Sequence, residues 1–232
     1  MNNYTGRDNL EVMKDARNYN AYLLRLIRSF ADNGKDIVDF GAGAGTFAIP
    51  LVREGFNIVC VEPDVVLAAS LQESGLSVVS TLDDVQDASV DYLYSLNVLE
   101  HIEDDTTVIG NWHRKLHPGG RLMVYVPAFQ ILYTSMDRKV GHFRRYRLGE
   151  LRAKLQEAGF AVDNARYVDS IGFLASLAFR MLDNGSGDIN LRALRIYDRY
   201  VFPLSCGCDR FMSKLGGKNL FIVAERPIQS GQ

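Results

Sequence analysis

An acid and two alternating glycines follow a short β-branched stretch of the chain, at Asp39, Gly41 and Gly43. Glycine lacks a Cβ atom, so the backbone can turn sharply there and lie against a ligand. The dinucleotide pattern Gly-x-Gly-x-x-Gly would need its last glycine at the position of Thr46. The carboxylate would repel a pyrophosphate but attracts the sulfonium and ammonium charges of S-adenosylmethionine. The pattern predicts a cradle for that cofactor, with an ordinary tight turn as the alternative.

A second acid, Glu62, ends the next apolar stretch of the chain. It follows the glycines by about twenty residues, the separation expected of a carboxylate that binds ribose hydroxyls. Pro63 disfavours helical dihedrals in the residue before it and so keeps Glu62 extended. Glu62 is therefore predicted to bind the ribose, and a solvated glutamate at a strand end is the alternative.

Further motifs follow in a fixed order: Thr81-Leu82-Asp83-Asp84-Val85, Asn97-Val98-Leu99-Glu100-His101-Ile102 and Pro118-Gly119-Gly120. Together with the glycine turn and Glu62, they resemble the class I S-adenosylmethionine-dependent methyltransferases over about residues 36–127. The resemblance implies a Rossmann-like α/β fold whose seven-stranded sheet is mostly parallel, with an antiparallel last strand. It also implies that Asp83 lies near the adenine amino group and Asn97 near the methionine end of the cofactor.

Methyl transfer requires an acceptor aligned with an activated methyl group, and a hydroxyl acceptor must also lose its proton. A neutral histidine is a suitable base near neutral pH. His101, which follows the fourth predicted strand, and His142 are therefore the candidate catalytic residues. Because alignment alone can suffice, the alternative for His101 is a structural role at the start of the following helix.

The same segment bears on metal binding. Some quinone-biosynthesis O-methyltransferases that it resembles carry Glu-x-x-Glu-His, a proposed divalent-metal site. This chain has Asn97 at the first acidic position, which removes one charged oxygen ligand. No metal site is therefore expected.

Residues 127–147, here called the acceptor loop, follow the fifth predicted strand and contain Gly-His-x-Arg-Arg-Tyr at 141–146. This string resembles a methyltransferase subgroup often associated with glycan and lipid-linked pathways. Forked guanidinium donors suit phosphate or carboxylate, and tyrosine rings suit a sugar or another ring. Four side chains are accordingly predicted to contact the acceptor: Tyr133, Arg144, Arg145 and Tyr146. Alternatively, Asp137 pairs with one arginine and holds the loop as a lid.

Composition predicts one domain. The chain has 232 residues, 47% of them hydrophobic, and lacks a Pro/Gly/Ser-rich linker that would divide it. A single methyltransferase domain over 1–232 is expected, with the cofactor-binding core at about 35–127. Three cysteines cannot all pair with one another and no signal peptide is visible, so a reduced cytoplasmic chain is expected. The net charge of −2 gives no overall attraction to nucleic acid.

Apolar periodicity predicts the elements that position these residues. Strands are predicted at about 36–40, 57–61, 77–79, 90–96, 120–127, 160–169 and 219–225. Helices are predicted at about 18–30, 46–54, 64–74, 103–116 and 147–158, with a mostly helical insertion at about 171–217. The alternation of strands and helices indicates a parallel, doubly wound sheet with an N-terminal helix packed on it.

The predicted function is methylation, at oxygen, of a small-molecule or lipid- or sugar-linked acceptor. Arginines interleave the apolar stretches of residues 171–204, a pattern that suits peripheral contact with an anionic membrane. Packing over the active site or against another subunit explains the same pattern. A nucleic-acid methyltransferase is an alternative, since basic residues cluster between Arg138 and Lys154. A catalytically silent cofactor-binding partner subunit and an NAD-dependent oxidoreductase are further alternatives.

Overall fold

The computed structural model describes residues 12–32, 34–181, 185–188 and 190–228. Its strands are β1 Asp36–Phe40, β2 Asn57–Val61, β3 Ser77–Val79, β4 Val90–Leu96, β5 Leu116–Pro127, β6 Ala161–Val168 and β7 Asn219–Glu225. Its helices are α1 Arg17–Arg28, α2 Ala48–Arg53, α3 Val65–Glu73, α4 Asp105–Lys115, α5 Ser135–Val140, α6 Leu148–Glu157, α7 Ser170–Met181, α8 Leu191–Ile196 and α9 Phe202–Met212. A π-helical turn, Tyr197–Val201, joins α8 to α9.

The strands form one seven-stranded sheet in the order β3-β2-β1-β4-β5-β7-β6. β1 pairs in parallel with β2 and β4, and β5 pairs in parallel with β4. β7 runs antiparallel to both of its neighbours, β5 and β6. The predicted fold class is confirmed. Because the carboxyl ends of β1, β2 and β4 share one sheet edge, the residues that follow these strands meet there.

Both faces of the sheet are covered by helices, and successive strand residues alternate between the two. On β1, Val38 belongs to an apolar cluster that contains Trp112 of α4 and Leu151 of α6. Its neighbour Ile37 belongs to the cluster on the other face, which contains Ile27 of α1. These two layers fix β1, whose carboxyl end carries the glycine turn. No helix of the described residues is long and apolar enough to cross a lipid bilayer.

Most predicted bounds lie close to the observed ones, and β5 is an instructive exception. It begins at Leu116, before the predicted start, because residues 118–120 bulge out between the pairs Val90–Leu116 and Tyr92–Arg121. Gly119 supports the bulge with a φ of 87°. The Pro118-Gly119-Gly120 motif therefore forms an irregularity within a strand.

The spacing of apolar residues did not predict helix α5 in the acceptor loop. It is one and a half turns long, too short for an apolar stripe to repeat. Its capping residues were nevertheless visible in the sequence: Thr134 and Asp137 form a capping box, and Gly141 ends the helix with a φ of 81°.

The insertion before β7 is helical as predicted, although its residues 182–184 and 189 lie outside the described residues. It joins the N-terminal helix through Asp198, which is buried. The two carboxylate oxygens of Asp198 accept hydrogen bonds from the backbone N–H groups of Asn18 and Tyr19, each at 2.9 Å. Ala16, the residue at the N-cap of α1, offers no side-chain oxygen. Asp198 thus caps α1 from a distant part of the chain.

We expect Asp198→Ala to lower the free energy of unfolding by about 1–2 kcal/mol, the usual cost of losing an N-cap. Asp198→Asn keeps one acceptor oxygen and should give an intermediate loss. Chemical denaturation followed by circular dichroism measures both. Unchanged unfolding free energy in the alanine variant would contradict the capping role.

Candidate active site

A cavity of about 1480 Å³ lies at the carboxyl edge of β1, β2 and β4. Eight of the predicted site residues line it: Asp39, Gly41, Gly43, Glu62, Asn97, His101, His142 and Arg145. The fold therefore brings together both acids, the glycine turn, both candidate bases and part of the acceptor loop.

The glycine turn is held in place by Glu62. The N–H of Gly43 donates to Glu62 Oε2 at 2.8 Å, and the N–H of Asp64 donates to Oε1 at 2.9 Å. Burial raises the pKa of Glu62, although these backbone donors act in the opposite direction. Gly41 has a φ of +82°, and a Cβ atom there would lie 2.4 Å from Val98 Cγ2. The turn is thus open to a ligand on one side and closed by Val98 on the other.

Asp39 and Asn97 bring two further polar groups to the cavity. Burial raises the pKa of Asp39 to about 7, and the nearby Glu62 acts in the same direction. A cationic ligand beside Asp39 would favour its ionised form. Asn97 has a φ of 53°, a left-handed conformation that asparagine tolerates. Its amide donates to the Tyr19 hydroxyl at 3.4 Å, which ties α1 to the end of β4.

Asp83 lies outside this cavity. It lines a smaller neighbouring one of about 250 Å³ that shares Phe40, Val61 and Pro63 with the main cavity. The Asp83 carboxylate accepts a hydrogen bond from Arg114 at 3.1 Å, and its side chain is 80% exposed. Contact of Asp83 with an adenine amino group stays a prediction.

Glu100, His101 and His142 form a cluster at another part of the main cavity. Each offers one ligand atom, and these atoms all lie within 4.8 Å of one another. The two imidazole rings cross edge to face with their centroids 4.5 Å apart. Burial lowers the pKa of His101 to about 4, so this ring is neutral near neutral pH. Burial raises the pKa of Glu100 to about 8.

The acceptor loop is organised around the buried carboxylate of Asp137. This carboxylate accepts hydrogen bonds from Arg145 Nε and Nη2, both at 2.9 Å, and lies 2.7 Å from His142 Nδ1. Burial alone would raise the pKa of Asp137, but the hydrogen bonds from His142 and Arg145 hold it below its ordinary value. The alternative in which Asp137 pairs with an arginine is therefore confirmed.

Three of the four residues predicted to contact the acceptor lie outside the cavity lining: Tyr133, Arg144 and Tyr146. Tyr146 is fully buried and its hydroxyl donates to Asp105 at 2.8 Å, so this ring packs inside the protein and does not face the cavity. Arg144 does not line the cavity. Its guanidinium donates to the carbonyl of Glu103 at 2.7 Å. It also pairs with Asp105 at 3.2 Å. Both side chains fasten the loop to the start of α4.

Tyr133 and Arg145 also have internal partners. The Tyr133 hydroxyl donates to the His142 carbonyl at 2.7 Å, outside the cavity lining. Arg145 lines the cavity, and its Nη1 is buried without a hydrogen-bond partner among the described residues. Two of the three guanidinium nitrogens thus bind Asp137, and the third has no hydrogen-bond partner among the described residues.

Lys218 is a cavity residue that the sequence analysis missed. Burial lowers its pKa, and its Nζ lies 5.6 Å from the centroid of the Tyr197 ring. The lysine precedes β7 by one residue and belongs to no recognisable motif. Only the antiparallel return of β7 beside β5 carries it to the cavity.

The glycine turn after β1, the acid after β2 and the sheet order with its antiparallel β7 define the class of S-adenosylmethionine-dependent methyltransferases. Comparison with known proteins supports this assignment. The family described as methyltransferase domain matches residues 14–165, and the chain belongs to this family.

Relatives share only part of their length with the chain. It is 31% identical over 154 residues to the ubiquinone biosynthesis O-methyltransferase of Xanthomonas euvesicatoria pv. vesicatoria, with 56% of this chain and 64% of the relative covered. It is 29% identical over 102 residues to the protein of that name from Xylella fastidiosa (strain M23), with 40% and 42% covered. The fold is similar to that of a Thermotoga maritima S-adenosylmethionine-dependent methyltransferase, a possible histamine N-methyltransferase. That structure has a TM-score of 0.63 and 18% identity, and the similarity covers 94% of each chain.

We expect Gly41→Ala to weaken S-adenosylmethionine binding by about tenfold or more, because the added methyl group would push Val98 or the backbone into the cradle. Gly55→Ala is the matched control, since Gly55 has a φ of +95° but no neighbour within 4 Å of an added Cβ. Both variants should lose about 1–2 kcal/mol of stability through backbone strain. Isothermal titration calorimetry with the cofactor distinguishes them. Equal affinity in both variants would remove the turn from the binding site.

Proposed function

We propose that the protein transfers a methyl group from S-adenosylmethionine to a hydroxyl group of a small-molecule or lipid- or sugar-linked acceptor. The observation that carries this proposal is the cluster of Glu100, His101 and His142, which lines the same cavity as the glycine turn. The names of the relatives, ubiquinone biosynthesis O-methyltransferases, favour oxygen as the methylated atom.

The residues of the cavity fit a cationic methyl donor. Bound S-adenosylmethionine would supply a methyl group on a positively charged sulfur. Asp39, Glu62 and the backbone of the glycine turn would hold it, since they bring negative charge and an approach free of side chains. Asn97 lies in the same lining and would border the methionine end.

The cluster of Glu100, His101 and His142 would act on the hydroxyl group of the acceptor. An acceptor hydroxyl that attacks the methyl carbon forms an O–CH₃ bond, the S–CH₃ bond breaks, and its electron pair stays on sulfur. The hydroxyl proton must leave, and the products are the methyl ether, S-adenosylhomocysteine and a proton. Asp137 fixes the ring of His142 through Nδ1 and leaves Nε2 towards the cluster, at 3.8 Å from Glu100 Oε1. These groups are placed to receive that proton.

The remaining walls favour an acceptor that is largely apolar. Apolar side chains from four segments line the cavity: Ile102, Met136, Val140, Leu194 and Phe202. Lys218 and the free nitrogen of Arg145 add positive charge for a polar group of the acceptor. A ring or lipid bearing a hydroxyl and one anionic substituent meets both conditions.

The basic cluster gives little support to a nucleic-acid substrate. Four of its seven cations are paired within the protein: Arg145 with Asp137, Arg144 and Lys154 with Asp105, and Lys139 with Asp188. Neutralised cations leave little net charge to release counterions from a phosphate backbone. A small-molecule acceptor is therefore the better proposal.

We expect label from S-adenosylmethionine carrying an isotopic methyl group to enter a small molecule as an ether that withstands alkaline hydrolysis. Hydroxylated ring compounds, with and without a lipid tail, are suitable acceptors for the assay. His142→Gln should lower kcat by about a hundredfold if its ring takes the proton. His113→Gln is the control, because His113 packs against Phe160 outside the cavity lining. Cofactor binding without turnover on any acceptor would instead favour a silent partner subunit.

We further propose that a lipid-linked acceptor is reached at an anionic membrane surface. The insertion exposes large apolar side chains at Leu174, Phe179, Met181, Leu204 and Phe211. Arginines are interspersed among them at Arg180, Arg192, Arg199 and Arg210. Apolar side chains beside arginines suit insertion among anionic headgroups.

The chain should therefore sediment with vesicles that contain phosphatidylglycerol and less with vesicles of phosphatidylcholine alone. Phe179→Glu should weaken this binding by about tenfold or more, since an apolar contact of this size is lost and a like charge is added. Ile228→Glu is a matched control, because Ile228 is exposed but lies beside Gly119 at the other end of β5. Equal loss in both variants would exclude this face as the membrane contact.

A further inference from the structure

Glu100 is the least expected charged group in the structure. Its side chain is fully buried, and neither carboxylate oxygen has a hydrogen-bond partner among the described residues. An isolated buried carboxylate is costly unless a cation or a set of donors compensates for the lost water. His142 Nε2 lies 3.8 Å from Oε1, beyond hydrogen-bonding distance. A cation bound between these groups would stabilise the ionised form of the carboxyl group.

His142 is oriented as a metal ligand would be. Its Nδ1 lies 2.7 Å from a carboxylate oxygen of Asp137, so Nδ1 carries the hydrogen and Nε2 keeps its lone pair. Asp137 is itself fixed by Arg145 through two hydrogen bonds. A carboxylate that holds the far nitrogen of an imidazole is the usual outer partner of a metal-bound histidine.

We propose that Glu100, His101 and His142 bind one divalent cation. Their three ligand atoms lie within 4.8 Å of one another, and ligands that share a cation are roughly 3–3.5 Å apart, so small side-chain rotations would close the site. Two imidazoles and one carboxylate favour Zn²⁺, Mn²⁺, Fe²⁺ or Co²⁺ over Mg²⁺ and Ca²⁺, which prefer oxygen ligands.

The absence of a metal site was expected only from the residues that follow β4. Asn97 does remove an acidic ligand there, but the fold brings in His142, which lies 41 residues after His101 and just beyond the end of α5. The proposed cation would thus connect the turn after β4 to the acceptor loop. Three protein ligands also leave coordination positions open towards the cavity that the site lines.

The use of these open positions rests on the proposed function, whereas cation binding itself does not. An acceptor hydroxyl bound to the cation would lose its proton more readily, because the positive charge stabilises the oxyanion. In that case the cation would replace the histidine base described above: Glu100 and the histidines would act as its ligands, and the hydroxyl proton would pass to solvent.

The test uses the untagged full chain, stripped with a chelator and dialysed, without cofactor or acceptor. Titration calorimetry should show one site for Zn²⁺, Mn²⁺ or Co²⁺ and much weaker binding of Mg²⁺. Co²⁺ should also give visible absorption bands with a nitrogen-containing coordination sphere. Glu100→Gln and His142→Ala should each weaken binding by about a hundredfold or more.

His117→Ala is the matched control, because His117 also pairs with a carboxylate, Asp91 at 2.7 Å, but belongs to β5 outside the cavity lining. It should bind the cation like the unaltered chain. Glu100 has no hydrogen-bond partner among the described residues, so Glu100→Gln should not lower the thermal stability of the metal-free chain, and added Zn²⁺ should no longer raise it. Retained affinity in Glu100→Gln and His142→Ala, or no site for any of the three cations, would overturn the proposal.

The labelled-methyl assay is a separate test. Methyl transfer by the chain stripped of metal would reject the role of the cation in the reaction but not the proposed class of acceptor.

Discussion

The buried carboxylate of Asp137 determines the shape of the acceptor side of the cavity. It accepts hydrogen bonds from the backbone and hydroxyl of Thr134, from His142 and, twice, from Arg145. Thr134 precedes α5, His142 follows it, and Arg145 lies near the end of the acceptor loop. One group therefore caps the helix, orients a candidate base and neutralises a buried arginine. Its charge is tolerated because the donors replace the water lost on burial.

The cofactor side of the cavity could be predicted from the sequence because its signals are local. Asp39 lies at the end of β1, Gly41 and Gly43 follow that strand and Glu62 follows β2, so the strand order alone places them at one sheet edge. The strands themselves are short apolar runs buried on both faces, which makes their positions easy to recognise. The hydrogen bond between Gly43 and Glu62 is then a consequence of parallel pairing between β1 and β2.

The acceptor loop could be predicted only in part because its partners are distant in sequence. The motif indicated that Arg144, Arg145 and Tyr146 matter, but not which of them faces the cavity. Asp105 of α4 binds Arg144 and Tyr146 and turns both away from it. Lys218 was missed for the same reason, since it reaches the site only through the antiparallel return of β7. The residue types indicate which chemistry is possible. Contacts between distant parts of the chain determine which of these side chains face the cavity.

The two sides of the cavity also differ in how they are held. The glycine turn extends from paired strands, whereas α1 is joined to the insertion through Asp198 and to the end of β4 through Asn97. Segments fixed by a few side-chain contacts open at lower cost than segments fixed by sheet hydrogen bonds. Opening at the insertion would admit an acceptor while β1 and β2 keep the glycine turn in place. Entry through that side also agrees with the exposed apolar residues of α7 and α9, which lie on the segment that would move.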